Sequence, residues 1–358
     1  MKDTLGEVGT VRRLSTICLA LLVVSLGVSP AYLRAAPAAE LVMSSYGGQL
    51  DEPFRWFLAD PLERQTGAKV SLVPSLSLEV LAKIKASPAN PPFDVIVLDE
   101  GPHLQAVADG LVERVDEKKV PNLAQVYPAY RKVTGGFGVP QAYSVVGIAY
   151  NTKKIKTRPT SWRDLFRPEY KGQVGTVNLN SSLGVAFLVM LARINGGGEG
   201  NIEPGFQAYK TLMSSVSAVA PRPGALAALF ERDEVAIAPL WNNTILALRG
   251  KGLPVDWVVP KEGAVVVMSV MNMVANTKQP DLAARFINEA ISGEYQLKAA
   301  VTPYFFGPTN SRVNLPAAMR QYLPTRPEEV AQLVSLDWIT VNRNRQAWTD
   351  RFNRELGR

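Results

Sequence analysis

Three polar residues, Asn180-Ser181-Ser182, stand directly before the apolar run Leu183 to Ile194 and so open a helix. A helix N-terminus presents free N–H groups and the positive end of the dipole, which suits a carboxylate or phosphonate. The same residues serve equally well as an ordinary N-cap. Arg222, in the turn Pro221-Arg222-Pro223-Gly224 ahead of a second helix, can grip such an anion bidentately or simply stand solvated. At the end of another apolar run, Asp99 and Glu100 can hold an amine or cap the helix that starts near His103. Trp241, beside Asn242 and Asn243 at a strand end, offers a ring wall or a core side chain, and Tyr46 offers the same two choices. Ser45, Ser75, Tyr143, Ser269 and Phe305 join the candidates by loop position alone.

This is the chemistry of binding rather than of turnover. The chain has one histidine, His103, which reads as a surface or capping residue, and one cysteine, Cys18. Serine triads and zinc proteases rely on imidazole, so catalysis here would need carboxylate, Lys or Tyr chemistry. Neither G-x-S-x-G nor H-E-x-x-H occurs, and no matched acid pair stands out. No cofactor or metal is expected. The cluster Gly196-Gly197-Gly198-Glu199-Gly200 follows a helix and lacks the Lys-Ser/Thr of a phosphate loop, so it reads as a flexible connection.

The elements that must position these residues alternate. Leu41 to Met43 is a strand, Phe54 to Leu62 a helix, Val70 to Val73 a strand, Leu78 to Lys85 a helix and Phe93 to Leu98 a strand. Such alternation builds a mostly parallel sheet flanked by helices, with ligands at the carboxyl ends of its strands. The pattern changes at Gly135 to Pro140, ahead of a strand Ser144 to Tyr150, which predicts a first crossing into a second α/β lobe. That lobe holds a short helix capped by Ser161, a strand Val174 to Val177, the helix Leu183 to Ile194, a helix Ala225 to Phe230 and a strand Val235 to Ala238. A strand Ala264 to Met268 crosses back, a helix Pro280 to Ile291 rejoins the first lobe, and a tail with Trp338, Trp348 and Phe352 clasps the second. The expected segments are a leader over 1–38, first lobe 39–142, second lobe 143–265, a return 266–303, and 304–358 packing mainly on the second lobe.

Composition narrows the compartment and the partners. Arg12-Arg13, the mostly apolar run Leu14 to Val28 and the small residues Ala35-Ala36-Pro37-Ala38-Ala39 read as a cleavable export signal, shorter than the ~20 residues of a spanning helix. The residue before Cys18 is not small, which argues against lipidation, and the arginine pair leaves twin-arginine export open. The formal net charge is +7, with no Lys/Arg run longer than two, so the footprint of nucleic-acid binding is missing. After cleavage no cysteine remains for a disulfide or thiolate site.

A set of short motifs then carries a resemblance. Asp109-Gly110-Leu111-Val112, Val139-Pro140, Gly147-Ile148-Ala149-Tyr150-Asn151, Ser161-Trp162-Arg163-Asp164-Leu165-Phe166, Pro168-Glu169-Tyr170-Lys171-Gly172 and Trp257-Val258-Val259-Pro260-Lys261-Glu262-Gly263 occur in the order found in periplasmic solute-binding proteins of ABC importers. The chain most resembles the spermidine/putrescine-binding group. The resemblance implies a type II two-lobed fold that closes on one solute and delivers it, as a monomer, to an inner-membrane permease. It also implies that Tyr46 and Trp241 are cleft aromatics. Where the family places acids, this chain reads Asn178 to Ser182 and Met268-Ser269, so amide and hydroxyl groups replace the carboxylates that hold a desolvated polyamine. The expected solute is therefore a small organic anion or zwitterion, amino-acid-like or phosphonate-like. Polyamine is the first alternative, and ferric-ion binding or a secreted hydrolase or lyase more distant ones. No Tyr-Tyr pair of the ferric kind is present.

Overall fold

A computed structural model of the chain describes residues 39–356, apart from 302, 321, 324–326 and 331–332 and the side chains of 49, 318 and 327. The expected export signal over 1–38 lies outside the described residues.

Ten strands form one sheet: β1 Glu40–Ser45, β2 Lys69–Pro74, β3 Val95–Asp99, β4 Val139–Asn151, β5 Val174–Val177, β6 Val216–Ala220, β7 Ile237–Trp241, β8 Val255–Val258, β9 Val265–Met273 and β10 Gly307–Pro308. Their order is β2-β1-β3-β9-β4-β7-β5-β6, with β8 and β10 each paired to β4. The first half, β2-β1-β3, and the second, β7-β5-β6, are parallel, as the alternation with helices predicts. β4 and β9 are antiparallel to each other and join the halves. Residues 139–146 of β4 pair with β9, whereas 146–150 pair with β7 and 148–151 with β8. Every residue of β9 is buried, which explains its valine- and methionine-rich sequence without alternation.

Several elements differ from the expectation in extent. The crossing strand begins at Val139, not Ser144, because the ladder absorbs Pro140 in an irregularity between Pro140 and Ala142. β7 runs to Trp241 through Pro239, and Trp241 leads straight into the helix Asn242–Gly250. His103, expected at the surface, is fully buried. Its Nδ1 lies 2.8 Å from Asn272 Oδ1, which ties the Glu100–Ala108 helix to the crossing strand.

The C-terminal segment packs on both halves, with the second held through Tyr322 to Arg249 and Asp337 to Glu199. Tyr304 Oη donates to Glu52, β10 pairs with β4, and Gln296 Oε1 accepts from the N–H groups of Thr309 and Asn310, all before the last helix begins. That helix, Trp338–Glu355, buries Trp338, Val341, Arg345, Trp348 and Phe352, a three-four spacing that forms one face. Its first turn sits on the first half: a Cβ at Gly101 would lie 2.4 Å from the Trp338 ring, and Asn342 Nδ2 donates to Gly101 O at 2.7 Å. Its last turns sit on the second half, through Arg351 to Glu203 at 2.6 Å and the Phe352 ring 5.1 Å from Tyr209. Aromatic residues at both ends of one long helix let it span the two halves.

Candidate ligand-binding cleft

A cleft of about 490 Å³ opens where the carboxyl ends of the strands meet. That volume suits a small metabolite rather than a peptide. Tyr46, Ser77 and Asp99 line it from the first half, Ser144 and Ser269 from the crossing strands. Ser181, Ser182, Arg222, Trp241, Asn243 and Thr244 line it from the second half, while Tyr304, Phe306 and Arg345 come from the C-terminal segment.

Eight of the residues singled out in sequence meet here: Tyr46, Asp99, Asn180, Ser181, Ser182, Arg222, Trp241 and Ser269. Ser181 caps the Ser182–Ile194 helix, its Oγ accepting from Gly184 N at 3.3 Å, so the N-cap reading holds alongside a cleft position. Arg222 is exposed and leads into the Pro223–Glu231 helix at the outer edge.

The other six point elsewhere, for local geometric reasons. Ser45 and Tyr143 are each one strand step from a cleft residue, so the pleat turns them to the opposite face. Ser45 Oγ donates to Asp51 at 2.9 Å, and Tyr143 is fully buried with its ring against Gly307. Ser144 takes the place expected of Tyr143. Ser75 accepts from Lys83 Nζ at 2.9 Å. Asn242 is fully buried as an internal staple, accepting from Val145 N at 2.9 Å and donating to Tyr322 O at 3.2 Å. Phe305 is buried with a left-handed φ of 55°, and that twist leaves Tyr304 and Phe306 on the cleft wall. Glu100 accepts from the Met268 N–H behind the wall, and burial pushes its carboxyl up to about 7.

Two charged groups dominate the interior. Asp99, at the end of β3, accepts from Tyr46 Oη at 2.9 Å, and Tyr46 Oη lies 3.4 Å from Ser269 Oγ. Burial is the main reason its carboxyl is pushed up, partly offset by Ser182, Tyr46 and the charge of Arg345. Burial and the Asp99 charge together hold the Tyr46 phenol far above its ordinary range.

Arg345 is the second, and the sequence reading missed it. Only 6% exposed, it donates from Nη2 to Asn180 O at 3.1 Å, while Nε and Nη1 have no partner. Burial pulls its pKa down to about 10 despite the nearby Asp99. Ser182 Oγ, at the same helix start, is buried with no hydrogen-bond partner closer than the neighbouring Asp99 carboxylate, which it helps to keep ionised. A signal for Arg345 does exist in sequence: it falls on the apolar face defined by Trp338, Val341, Trp348 and Phe352, where a guanidinium is out of place. Among the described residues no group of three or more His, Cys, Asp or Glu side chains is placed to hold a metal ion.

With unpaired donors on one side and a carboxylate on the other, this interior can hold a small charged solute by hydrogen bonds and charge. Comparison with known proteins fits that reading. Residues 90–317 match the family model described as bacterial extracellular solute-binding protein. The spermidine/putrescine-binding periplasmic protein 1 of Haemophilus influenzae is 28% identical over 246 residues, 64% of this chain and 66% of that relative's length. A Salmonella typhimurium periplasmic protein named for 2-aminoethylphosphonate binding is 23% identical over 75% of this chain and 79% of its own length. The crystal structure of an ABC transporter from Clostridium perfringens superposes with a TM-score of 0.69 at 26% identity, covering 88% of this chain and 99% of that one. The chain therefore belongs to the bacterial extracellular solute-binding protein family, with the two-lobed α/β architecture of periplasmic binding proteins.

Proposed function

We propose that this chain is the solute receptor of an ABC importer, exported to the periplasm through its leader, and that it captures a small organic anion or zwitterion, amino-acid-like or phosphonate-like, for an inner-membrane permease. The observation that carries the reading is Arg345, a buried guanidinium with Nε and Nη1 unpartnered at the cleft. An unpaired charged donor away from water is costly unless an acceptor arrives, and an oxyanion is the acceptor its planar fork matches. The start of the Ser182–Ile194 helix, which Arg345 holds through Asn180 O, adds N–H groups beside it. The family's function is binding and delivery, so the solute should leave unchanged.

Polyamine binding is the second reading, favoured by the name of the Haemophilus relative and by the Tyr46 and Trp241 rings on the wall. Charge opposes it. The cleft wall carries Asp99 and Glu231 against Arg222, Lys251 and Arg345, and the cation is the more deeply buried partner. A di- or trication would bring like charge toward a guanidinium that has no spare counter-ion.

Thermal shift followed by calorimetry on the exported protein decides between them. Carboxylates, amino acids and phosphonates should include a compound that raises Tm and binds one-to-one, and Arg345→Gln should weaken it by roughly 2–5 kcal/mol, the range for truncating a buried charged pair. Micromolar spermidine affinity that survives Arg345→Gln would overturn the proposal.

A further inference from the structure

We infer that the solute is a compact zwitterion, seated with its anionic end on Arg345 and its ammonium on Asp99. This rests on the anion reading above and adds the second pole.

Asp99, half-buried, and Arg345, buried, are charges of opposite sign that face one cleft without joining. Arg345 spends its single described hydrogen bond on Asn180 O, so none of its nitrogens reaches the Asp99 carboxylate. Asp99 instead accepts from the Tyr46 hydroxyl. Both flank the same helix start: Ser182 is among the groups acting on Asp99, and Arg345 holds the carbonyl two residues earlier. Each charge is also among the groups that act on the other, so the poles are near neighbours and a compact solute spans them.

Charge accounting then selects the occupant. A simple anion satisfies Arg345 but stands beside the Asp99 carboxylate, and a diamine satisfies Asp99 but stands beside the guanidinium. Only a solute carrying both charges, oriented antiparallel to the pair, completes both. The neighbours of each pole agree. The Tyr46 and Trp241 rings line the cleft, as an ammonium favours, and Tyr46 is bonded to Asp99, whereas Arg345 holds the helix start through Asn180 O, the end of a helix that favours an anion. Both pKa values move toward the neutral forms, as expected of an unfilled pair, with burial the leading cause in each. The remaining charged wall residues, Arg222, Glu231 and Lys251, are exposed and sit at the rim.

Calorimetry on matched pairs tests this: glycine with acetate, β-alanine with propionate, 4-aminobutyrate with butyrate, 2-aminoethylphosphonate with ethylphosphonate, and putrescine alone. At least one amino member should bind roughly 10- to 100-fold tighter than its deaminated partner, the worth of a charged hydrogen bond. In Asp99→Asn, checked for folding by its circular dichroism and Tm, the two members of that pair should converge. Tyr46→Phe, which keeps the ring and frees the carboxylate, should narrow the gap less. Equal affinity for both members in the wild-type protein, with both lost in Arg345→Gln, overturns the zwitterion and leaves the anion reading standing. Failure of every amino member to bind overturns the inference. Putrescine binding without any anion overturns the inference and the anion reading together.

Discussion

Replacing Arg345 by Met should stabilise the empty protein while removing its capacity for anions. Met matches the length of the arginine stem and needs no hydrogen-bond partner. The magnitude follows from the environment of the guanidinium. Its pKa falls well below the ordinary arginine range, to about 10, which at 1.36 kcal/mol per pH unit makes the buried charge cost ~3 kcal/mol, Asp99 included. Against this stands one charged hydrogen bond, Nη2 to Asn180 O, worth about 1.5–3 kcal/mol. The balance favours Met by roughly 1 kcal/mol. At roughly 2.1 cal/mol/K of unfolding entropy per residue over about 320 residues, that is a rise of about 1.5 °C in Tm.

Differential scanning calorimetry without solute reads the first effect, and titration with the best anionic ligand reads the second. The two should move in opposite directions. A residue kept only for folding gives the reverse, a drop in Tm on substitution. A fall of several degrees in the empty Arg345→Met protein would therefore refute the reasoning, because the guanidinium would then be a structural partner of Asp99 and not a donor held ready for a solute.

Two further expectations concern the parts that hold the cleft. Gly101→Ala puts a methyl group 2.4 Å from the Trp338 ring, so it should displace the first turn of the last helix, cost about 1–3 kcal/mol in urea unfolding and weaken solute binding through Arg345. His103 is buried and its pKa is lowered, chiefly by burial, so the unfolded chain takes up a proton more readily than the folded one. Its contribution is complete above the unfolded value of roughly 6.5 and is lost as pH falls through the lower folded value. Glu100, raised to about 7, acts with the opposite sign, which is why the comparison needs a variant. The urea midpoint should fall more between pH 7.5 and pH 5.5 in the wild type than in His103→Gln. Equal falls would remove His103 as a source of acid sensitivity.

How far the sequence was legible depended on distance along the chain. The first strand-helix-strand-helix-strand run is visible because each element has its own period and stop signal, as in Val95–Asp99 followed by Glu100–Ala108. The helix start at Ser181 and the cleft position of Trp241 are local too. Errors of one residue, Tyr143 for Ser144 or Phe305 for its neighbours, arose where loop position was visible but side-chain direction was not. A pleat or a single left-handed residue decides that direction, and neither has a compositional mark at those sites. Asn242 was misread because a buried amide satisfying Val145 and Tyr322 looks, in sequence, like an amide facing a ligand. Arg345 is hard to see in sequence because Trp338, Trp348 and Phe352 around it mark the last helix as a packing element.

That last helix also links binding to the meeting of the two halves. Asp99 and Tyr46 belong to the first half and Asn180 to Ser182 to the second, while Arg345 rides on a helix whose first turn rests on Gly101 and whose last turns rest on Glu203 and Tyr209. Pulling the halves apart must therefore separate Asp99 from the helix start at Ser182 or draw the last helix off one of its two seats. Neither half alone presents both poles. A solute that satisfies Arg345 and Asp99 together gains most when the halves are apposed, so its binding energy favours that arrangement by the difference in contacts. Without a solute the same arrangement leaves a buried guanidinium and a half-buried carboxylate unjoined, and the cost worked out for Arg345 opposes it. The pair that selects the cargo is thus also what makes closure depend on it.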